Sequence, residues 1–318
     1  MPTPFAKIHS DRISILGEER LITEIRQWLG RATPPAPHGI GDDCAVLPTA
    51  SKRQAITVDP VIYGRHFDEN VPPRAVGAKL LKRNLSDLAA MGARPTAAVI
   101  ALTMDPGVSR KWLEQFYRGL ADSALEYEVP IVGGDVAQAD GVLAASLTLL
   151  GQAAGSRMVF RKGGKIGDWI YVTGTLGGSL AGHHYTFKPR LAEGAWLASL
   201  SETRSLIDVS DGPAKDLRAL MPKEAEPALN AGAIPISRAA YKMAKASGRP
   251  ALDHALSDGE DYELLFTISK TANREKFEGA WRARFKTPLT CIGQIVRHGR
   301  RPAETIDLSQ YHGYEHLR

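Results

Sequence analysis

The 318-residue chain has only two cysteines, Cys44 and Cys291. That excludes a disulfide scaffold, and neither cysteine has the partner spacing of a zinc site. Cys44, inside an apolar run, reads as core. No apolar run approaches the ~18 residues that a membrane span needs, and the opening MPTPFAKIHSDR has no apolar signal core. The expectation is a soluble, cytoplasmic protein with no membrane partner. Charge of one sign is also scarce. Forty Lys and Arg against 35 Asp and Glu leave a formal +5. So small a surplus, spread along the chain, argues against a nucleic-acid partner. The cluster Arg297-His298-Gly299-Arg300-Arg301 reads as a solvated loop. The ordinary nucleotide signatures are missing: no P-loop, no Rossmann glycine fingerprint and no kinase catalytic loop. A nucleotide site here must belong to another type.

What the chain has is glycine, 30 residues, some of it beside aspartate. Its length suggests about two domains. Apolar spacing predicts helices over 17–29, 73–91 and 214–220, and Ser109 is a natural N-cap for a helix over 110–127. Gly92 is the expected stop of the second helix. Strands are expected over 44–47, 54–58, 96–103, 131–132, 143–150, 169–173, 205–209, 263–268 and 290–295. Composition shifts at 151–167, which is rich in Gly, Lys and Arg. The boundary is placed there, giving domains 1–150 and 151–318. Strands alternating with helices imply an α/β (α+β) architecture in both.

Five segments place aspartate within two residues of Gly, Ser or Thr: Gly41-Asp42-Asp43, Thr57-Val58-Asp59, Asn84-Leu85-Ser86-Asp87, Gly133-Gly134-Asp135 and Asp208-Val209-Ser210-Asp211-Gly212. At strand ends such carboxylates could point into a cleft, with glycine letting a phosphate or metal approach the main chain. Hard oxygen donors in this number suit several Mg²⁺ ions. Taken singly, each aspartate reads as a turn residue or a cap; the set carries the argument. His183-His184 reads as surface, because adjacent residues diverge in a helix or a strand.

The stretches GIGDDCAVL (39–47), NLSDLAAMGARP (84–95), IVGGD (131–135), RKGGKIGDWIYVTGTLGG (161–178), IDVSDGPAKDL (207–217), SDGEDYELLFTI (257–268) and GYEHL (313–317) carry a resemblance. In that order they resemble the thiamine-monophosphate kinase family, whose superfamily also holds aminoimidazole-ribonucleotide synthetase and selenophosphate synthetase. The resemblance implies that two-domain fold, with the N-terminal sheet pairing across a homodimer. It implies direct in-line phosphoryl transfer from ATP to thiamine monophosphate, with several Mg²⁺ ions and no catalytic residue apart from their ligands. Asp43, Thr57, Asp59, Asp87, Asp135, Asp208 and Asp211 would hold metal, Val58 only through its carbonyl. Gly134, Asp135, Arg161 and Ser210 would meet ATP. His66, Glu260 and Tyr311 would bind the thiamine phosphate. Against these roles, His66 also reads as a satisfied surface histidine, Glu260 as a helix-entry acid and Tyr311 as a C-terminal core aromatic.

The chain departs from the family pattern in three places. Val136-Ala137-Gln138 stands where the family has Thr-Thr-Arg, Pro213 follows Asp211-Gly212, and Asp258 replaces a glycine. Two other readings stay open. One is another ATP-using synthetase of the superfamily, although the reactive cysteine of selenophosphate synthetase has no counterpart before residue 38. The other is a non-catalytic thiamine-phosphate or nucleotide sensor.

Overall fold

The computed structural model describes residues 3–16, 18–35, 38, 40 and 53–314. The chain divides into two compact units, one of Met1–Leu88 with Arg94–Gln152, the other of Ala89–Ala93 with Ala153–Arg318. No helix of the described residues is long and apolar enough to cross a membrane.

The first unit holds a four-stranded sheet in the order β1-β4-β2-β3, with β1 Gln54–Ile62, β2 Ala93–Met104, β3 Ile131–Gln138 and β4 Leu143–Ala153. β1 runs antiparallel to β4, from Gln54 opposite Gln152 to Ile62 opposite Ala144. β3 runs parallel to β2. Every second residue of β4 is buried, the mark of a strand with one face on a core. Three helices accompany the sheet: α1 Glu18–Leu29, α2 Pro73–Ala90 and α3 Arg110–Glu126. Ser109 caps α3 as expected, its hydroxyl accepting from the Trp112 amide at 3.2 Å. α2 and α3 meet backbone to backbone. A Cβ on Gly77 would lie 1.9 Å from the Phe116 carbonyl oxygen, and one on Gly119 would lie 1.9 Å from that of Arg74.

The second unit is built on a five-stranded sheet in the order β6-β8-β5-β9-β7. The strands are β5 Trp169–Thr173, β6 Thr203–Asp208, β7 Ala225–Leu229, β8 Leu264–Ile268 and β9 Leu289–Arg297, and neighbours pair antiparallel. Both faces are buried. On one, Ile170, Val172, Ile207 and Leu265 pack with Leu217 and Leu220 of α6 (Pro213–Leu220) and Ala255 and Leu256 of α8 (Ala251–Ser257). On the other, Tyr171, Leu206 and Phe266 pack with Leu197 of α5 (Leu191–Ser199) and with Phe277 and Trp281 of α9 (Arg274–Arg284). All five residues of β8 are buried, as a central strand between two layers requires. Two more helices complete the unit, α4 His183–Thr186 and α7 Arg238–Ser247.

The structure corrects several expected spans. β1 continues four residues past Val58, through Pro60, which an edge strand tolerates. β3 runs through Gly133-Gly134 instead of ending there. The expected strand over 44–47 lies outside the described residues.

Candidate active site

In the first unit the candidates sit on regular elements. Alternation along β1 puts Thr57 and Asp59 on its partly covered face and leaves Val58 60% exposed on the other. The Thr57 hydroxyl donates to Asp87 Oδ2 of α2. One turn earlier on α2, Arg83 reaches Asp59 Oδ1 at 3.6 Å and donates to the Pro60 carbonyl at 2.5 Å. The spacing explains the match. Four residues of helix rise about 6 Å, and two residues of strand span about 6.6 Å. Asp87 stands in α2, within the helix expected over 73–91, while Asp59 lies in mid-strand and not at a strand end.

Asp135 lies in mid-strand too, exposed on β3, the opposite edge of the sheet from β1. Three strand spacings, roughly 14 Å, separate the two edges. Among the described residues no three His, Cys, Asp or Glu side chains converge as a metal group. Gly134 has a reason of its own to lack a side chain, since a Cβ there would lie 2.2 Å from the Ile100 carbonyl oxygen of β2. His66 is buried, and its Nδ1 accepts the Ile62 amide at 3.1 Å, leaving Nε2 as the protonated nitrogen. Its carbonyl takes a bond from the fully buried Lys79 ammonium at 2.8 Å. Asp43 lies outside the described residues, with Asp42 and Cys44.

In the second unit the candidates sit on loops. Asp208, buried, is the last residue of β6, and Ser210 and Asp211 follow in the turn to α6. Gly212, at φ +98°, leads into Pro213 at the first position of α6, where a missing amide hydrogen costs nothing. The turn is held from three sides. Asp216 Oδ2 accepts the amides of Ser210 at 3.1 Å and Asp211 at 3.0 Å. Burial first, then the neighbouring Asp211 carboxylate, push the Asp216 carboxyl up to about 7. The C-terminal segment closes the second side: the Tyr314 amide donates to the Asp211 carbonyl at 2.9 Å. Lys215 joins both, with its ammonium 2.8 Å from Asp211 Oδ2 and 2.8 Å from the Tyr314 carbonyl. The third side is the Glu260 loop, which is bonded to this turn through its main chain. The Glu260 amide donates to the Ser210 carbonyl and the Tyr262 amide to that of Val209, both at 2.8 Å.

Glu260 and Tyr262 have φ of +54° and +52°, strained for side-chain-bearing residues. Asp261 between them is buried, with Oδ1 accepting the Gly177 amide at 2.9 Å and Oδ2 unpartnered. Burial pushes its carboxyl well above the usual range. Asp258, the residue in place of the family's glycine, is pinned by His254 Nδ1 at 2.8 Å. Arg161 is exposed. Tyr311 is half-buried and packs against the apolar layer that includes Leu217, Leu256 and Leu308.

The structure thus brings Ser210, Asp211 and Glu260 onto one fastened pair of loops, with Asp208 at the strand end that leads into the first. It groups Thr57, Asp59 and Asp87 on β1 and α2, and sets Asp135 apart from them. The sequence reading passed over Asp216, Lys215, Asp261 and His184. Asp216 sits in the first turn of an expected helix, and that was the available signal. His184 is not surface: it is buried, with Nδ1 3.7 Å from Glu260 Oε2.

Known proteins resemble the chain over both units. Residues 41–153 match the family model of the AIR synthase related protein, N-terminal domain. The chain is 36% identical over 276 residues to the thiamine-monophosphate kinase of Rhodopirellula baltica, covering 84% of this chain and 85% of that protein. It is 36% identical over 307 residues to the thiamine-monophosphate kinase of Escherichia coli, covering 88% and 91%. Among solved structures, thiamine-monophosphate kinase from Stenotrophomonas maltophilia superposes with a TM-score of 0.72 at 32% identity, covering 87% of this chain and 93% of that one. AaThiL complexed with AMPPCP and TMP gives 0.71 at 26%, covering 96% and 99%. On that kinship, which spans both units, the chain belongs to the thiamine-monophosphate kinase family.

Proposed function

We propose that this chain transfers the terminal phosphate of ATP to thiamine monophosphate, giving thiamine diphosphate and ADP. The observation that carries the reading is the likeness, over 96% of the chain, to a protein solved with AMPPCP and TMP. The backbone bonds between the Ser210 turn and the Glu260 loop support it, because they hold a nucleotide-side candidate and a substrate-side candidate in one fixed register.

The Mg²⁺ ions that the family implies fit the donor set. The hydroxyl of Thr57 and the carboxylates of Asp59, Asp87, Asp135, Asp208 and Asp211 are the hard oxygen ligands such ions take. When bound, these ions would neutralise and align the two phosphates. Until then the chain's own cations balance part of this charge: Arg83 stands beside Asp59 and Lys215 beside Asp211. The Ser210 amide is engaged by Asp216, so its hydroxyl is the group offered to ATP. Arg161 offers a planar fork of donors to phosphate. The nucleophile is a phosphate oxygen, largely ionised near neutrality, and needs no strong base. The Glu260 carboxylate and the Tyr311 ring suit the thiazolium cation, and His66 suits the substrate phosphate.

The family's homodimer is part of the same proposal. β1 is an edge strand whose outward residues Ile56 and Val58 are 71% and 60% exposed. An apolar edge of this kind invites pairing with a second sheet. Pairing β3 of one copy with β1 of another would bring Asp135 beside the other copy's Thr57–Asp59 edge and complete a donor set that one chain splits.

The test is ADP release with and without thiamine monophosphate at millimolar Mg²⁺, with thiamine diphosphate measured by chromatography. Substrate-dependent ADP matched by thiamine diphosphate is the expected result. Binding of both ligands without turnover would refute the kinase reading and favour a sensor.

A further inference from the structure

We propose that His184 is a positioning residue of the substrate site, fixing the Glu260 carboxylate that receives the cationic end of the substrate. The inference rests on the function proposed above and extends it to a segment the family motifs do not include.

Residues 183–187 grip residues 260–262 almost one for one. His183 Nε2 lies 3.1 Å from the Asp261 carbonyl oxygen. His184 Nδ1 lies 3.7 Å from Glu260 Oε2. The Phe187 ring stacks on Tyr262, with centroids 3.9 Å apart and planes at 18°. The Tyr262 hydroxyl in turn donates to Glu260 Oε1 at 3.1 Å. Each carboxylate oxygen of Glu260 therefore faces its own partner, both partners buried. A carboxylate can only accept, so the tautomer that suits the pair carries its proton on Nδ1.

The main chain is held as firmly as the side chain. Glu260 and Tyr262 keep left-handed backbones, which persist only where the surroundings over-determine them. The Glu260 amide is tied to Ser210. Glutamate has more rotamer freedom to lose than most side chains. A Glu260 already held in place loses little of it when a cation arrives, and that is how preorganisation strengthens binding. Packing alone would not require a nitrogen 3.7 Å from the carboxylate; an aromatic hydrocarbon would fill the same space.

Two substitutions separate these roles. His184→Phe keeps a ring and removes Nδ1. His184→Asn places an amide nitrogen near the Nδ1 position. Expected for His184→Phe is a KM for thiamine monophosphate raised about tenfold, with the KM for ATP within about twofold of wild type. His184→Asn should recover most of that loss although it is smaller and fills the pocket less well. A packing role predicts the reverse order, with Asn worse than Phe and both KM values moving together. That pattern, or an unchanged KM for thiamine monophosphate in His184→Phe, overturns the proposal. Should position 184 not accept Phe in a folded protein, Tyr262→Phe keeps the stack on Phe187 and removes the hydroxyl that donates to Glu260 Oε1. It must raise the same KM and spare that for ATP, and an unchanged value overturns the proposal. A wild-type enzyme that makes no thiamine diphosphate overturns the proposed function and this inference together. Wild-type turnover with an indifferent His184→Phe overturns this inference alone.

Discussion

The two units carry their candidate carboxylates by different means. In the first, Asp59 and Asp135 stand in strands and Asp87 in a helix, so ladders and helical bonds set their positions. In the second, Ser210, Asp211 and Glu260 stand on loops, held by side chains such as Asp216 and Lys215 and by the C-terminal segment. Position by secondary structure is robust to substitution nearby. Position by a few polar contacts is not, because each contact is a separate point of failure. The first unit should therefore lose function only when a ligand itself is changed. The second should lose it also when a residue behind a ligand is changed.

The largest effect tests what the units share. Asp87→Asn and Asp211→Asn should each lower kcat by roughly a thousandfold or more, the scale of losing a charge that stabilises the transition state. Circular dichroism and the thermal midpoint should stay near wild type, since neither carboxylate is a core group. Near-normal turnover in either variant at saturating Mg²⁺ would remove that residue from the metal set.

The next effect separates the units. Asp216→Ala leaves the amides of Ser210 and Asp211 without their acceptor. Losing such buried hydrogen bonds costs about 1–3 kcal/mol, and kcat should fall about tenfold or more through the loosened turn. Asp216→Asn retains an acceptor oxygen and should recover much of it. In the first unit, Val58→Ala changes a side chain that points to solvent and leaves the backbone of β1 in register with β4. Its kcat should stay within about twofold, as surface substitutions usually do. Equal losses in Asp216→Ala and Val58→Ala would abolish the contrast between the units.

What was legible in the sequence follows the same division. α3, with its Ser109 cap, and α2, with its stop at Gly92, show local periodicity and capping, and both came out within a residue or so of the expected spans. β1 and β3 run past their expected ends, through Pro60 and through Gly133-Gly134. Pro60 is tolerated on an edge, and Gly134 is required by the Ile100 carbonyl across the ladder, a partner 34 positions away. β7 contains Glu226 and Pro227 and has little strand signature; its pairing with β9 makes it a strand. The ligand candidates were legible through motifs. Their supports were not. Glu260 meets His184 76 positions away, and the Asp211 turn meets Tyr314 103 positions away. Adjacent histidines were set aside because neighbours diverge, yet His183 and His184 reach successive residues of one loop.

The smallest effect is a pH dependence confined to the second unit. Asp261 is buried beside Glu260, and burial raises its carboxyl well above the ordinary value near 3.9. Below that ordinary value the group is protonated whether the chain is folded or not, and its contribution to stability is fully present. As pH rises, the unfolded chain releases the proton and the folded chain keeps it. Stability is then lost progressively until pH passes the raised folded value. Asp261→Asn keeps an oxygen for the Gly177 amide and cannot ionise. Urea unfolding at a series of pH values should therefore find the two proteins close at pH 4, with the variant increasingly the more stable toward pH 8. The first unit offers a control in Asp105, an exposed-side carboxylate whose bonds from the Gly141 and Gly107 amides hold it below the usual range. The sign there is opposite: its contribution is present above the ordinary value and is lost as pH falls through the lowered one. Asp105→Asn should lose its disadvantage on acidification, where Asp261→Asn loses its advantage. A stability gap for Asp261→Asn that does not change between pH 4 and pH 8 would show that the folded protein holds no proton at Asp261. The strained Glu260 loop would then be packed around a buried charge, and its two neighbours Glu263 and Asp258 would have to be held in place against it.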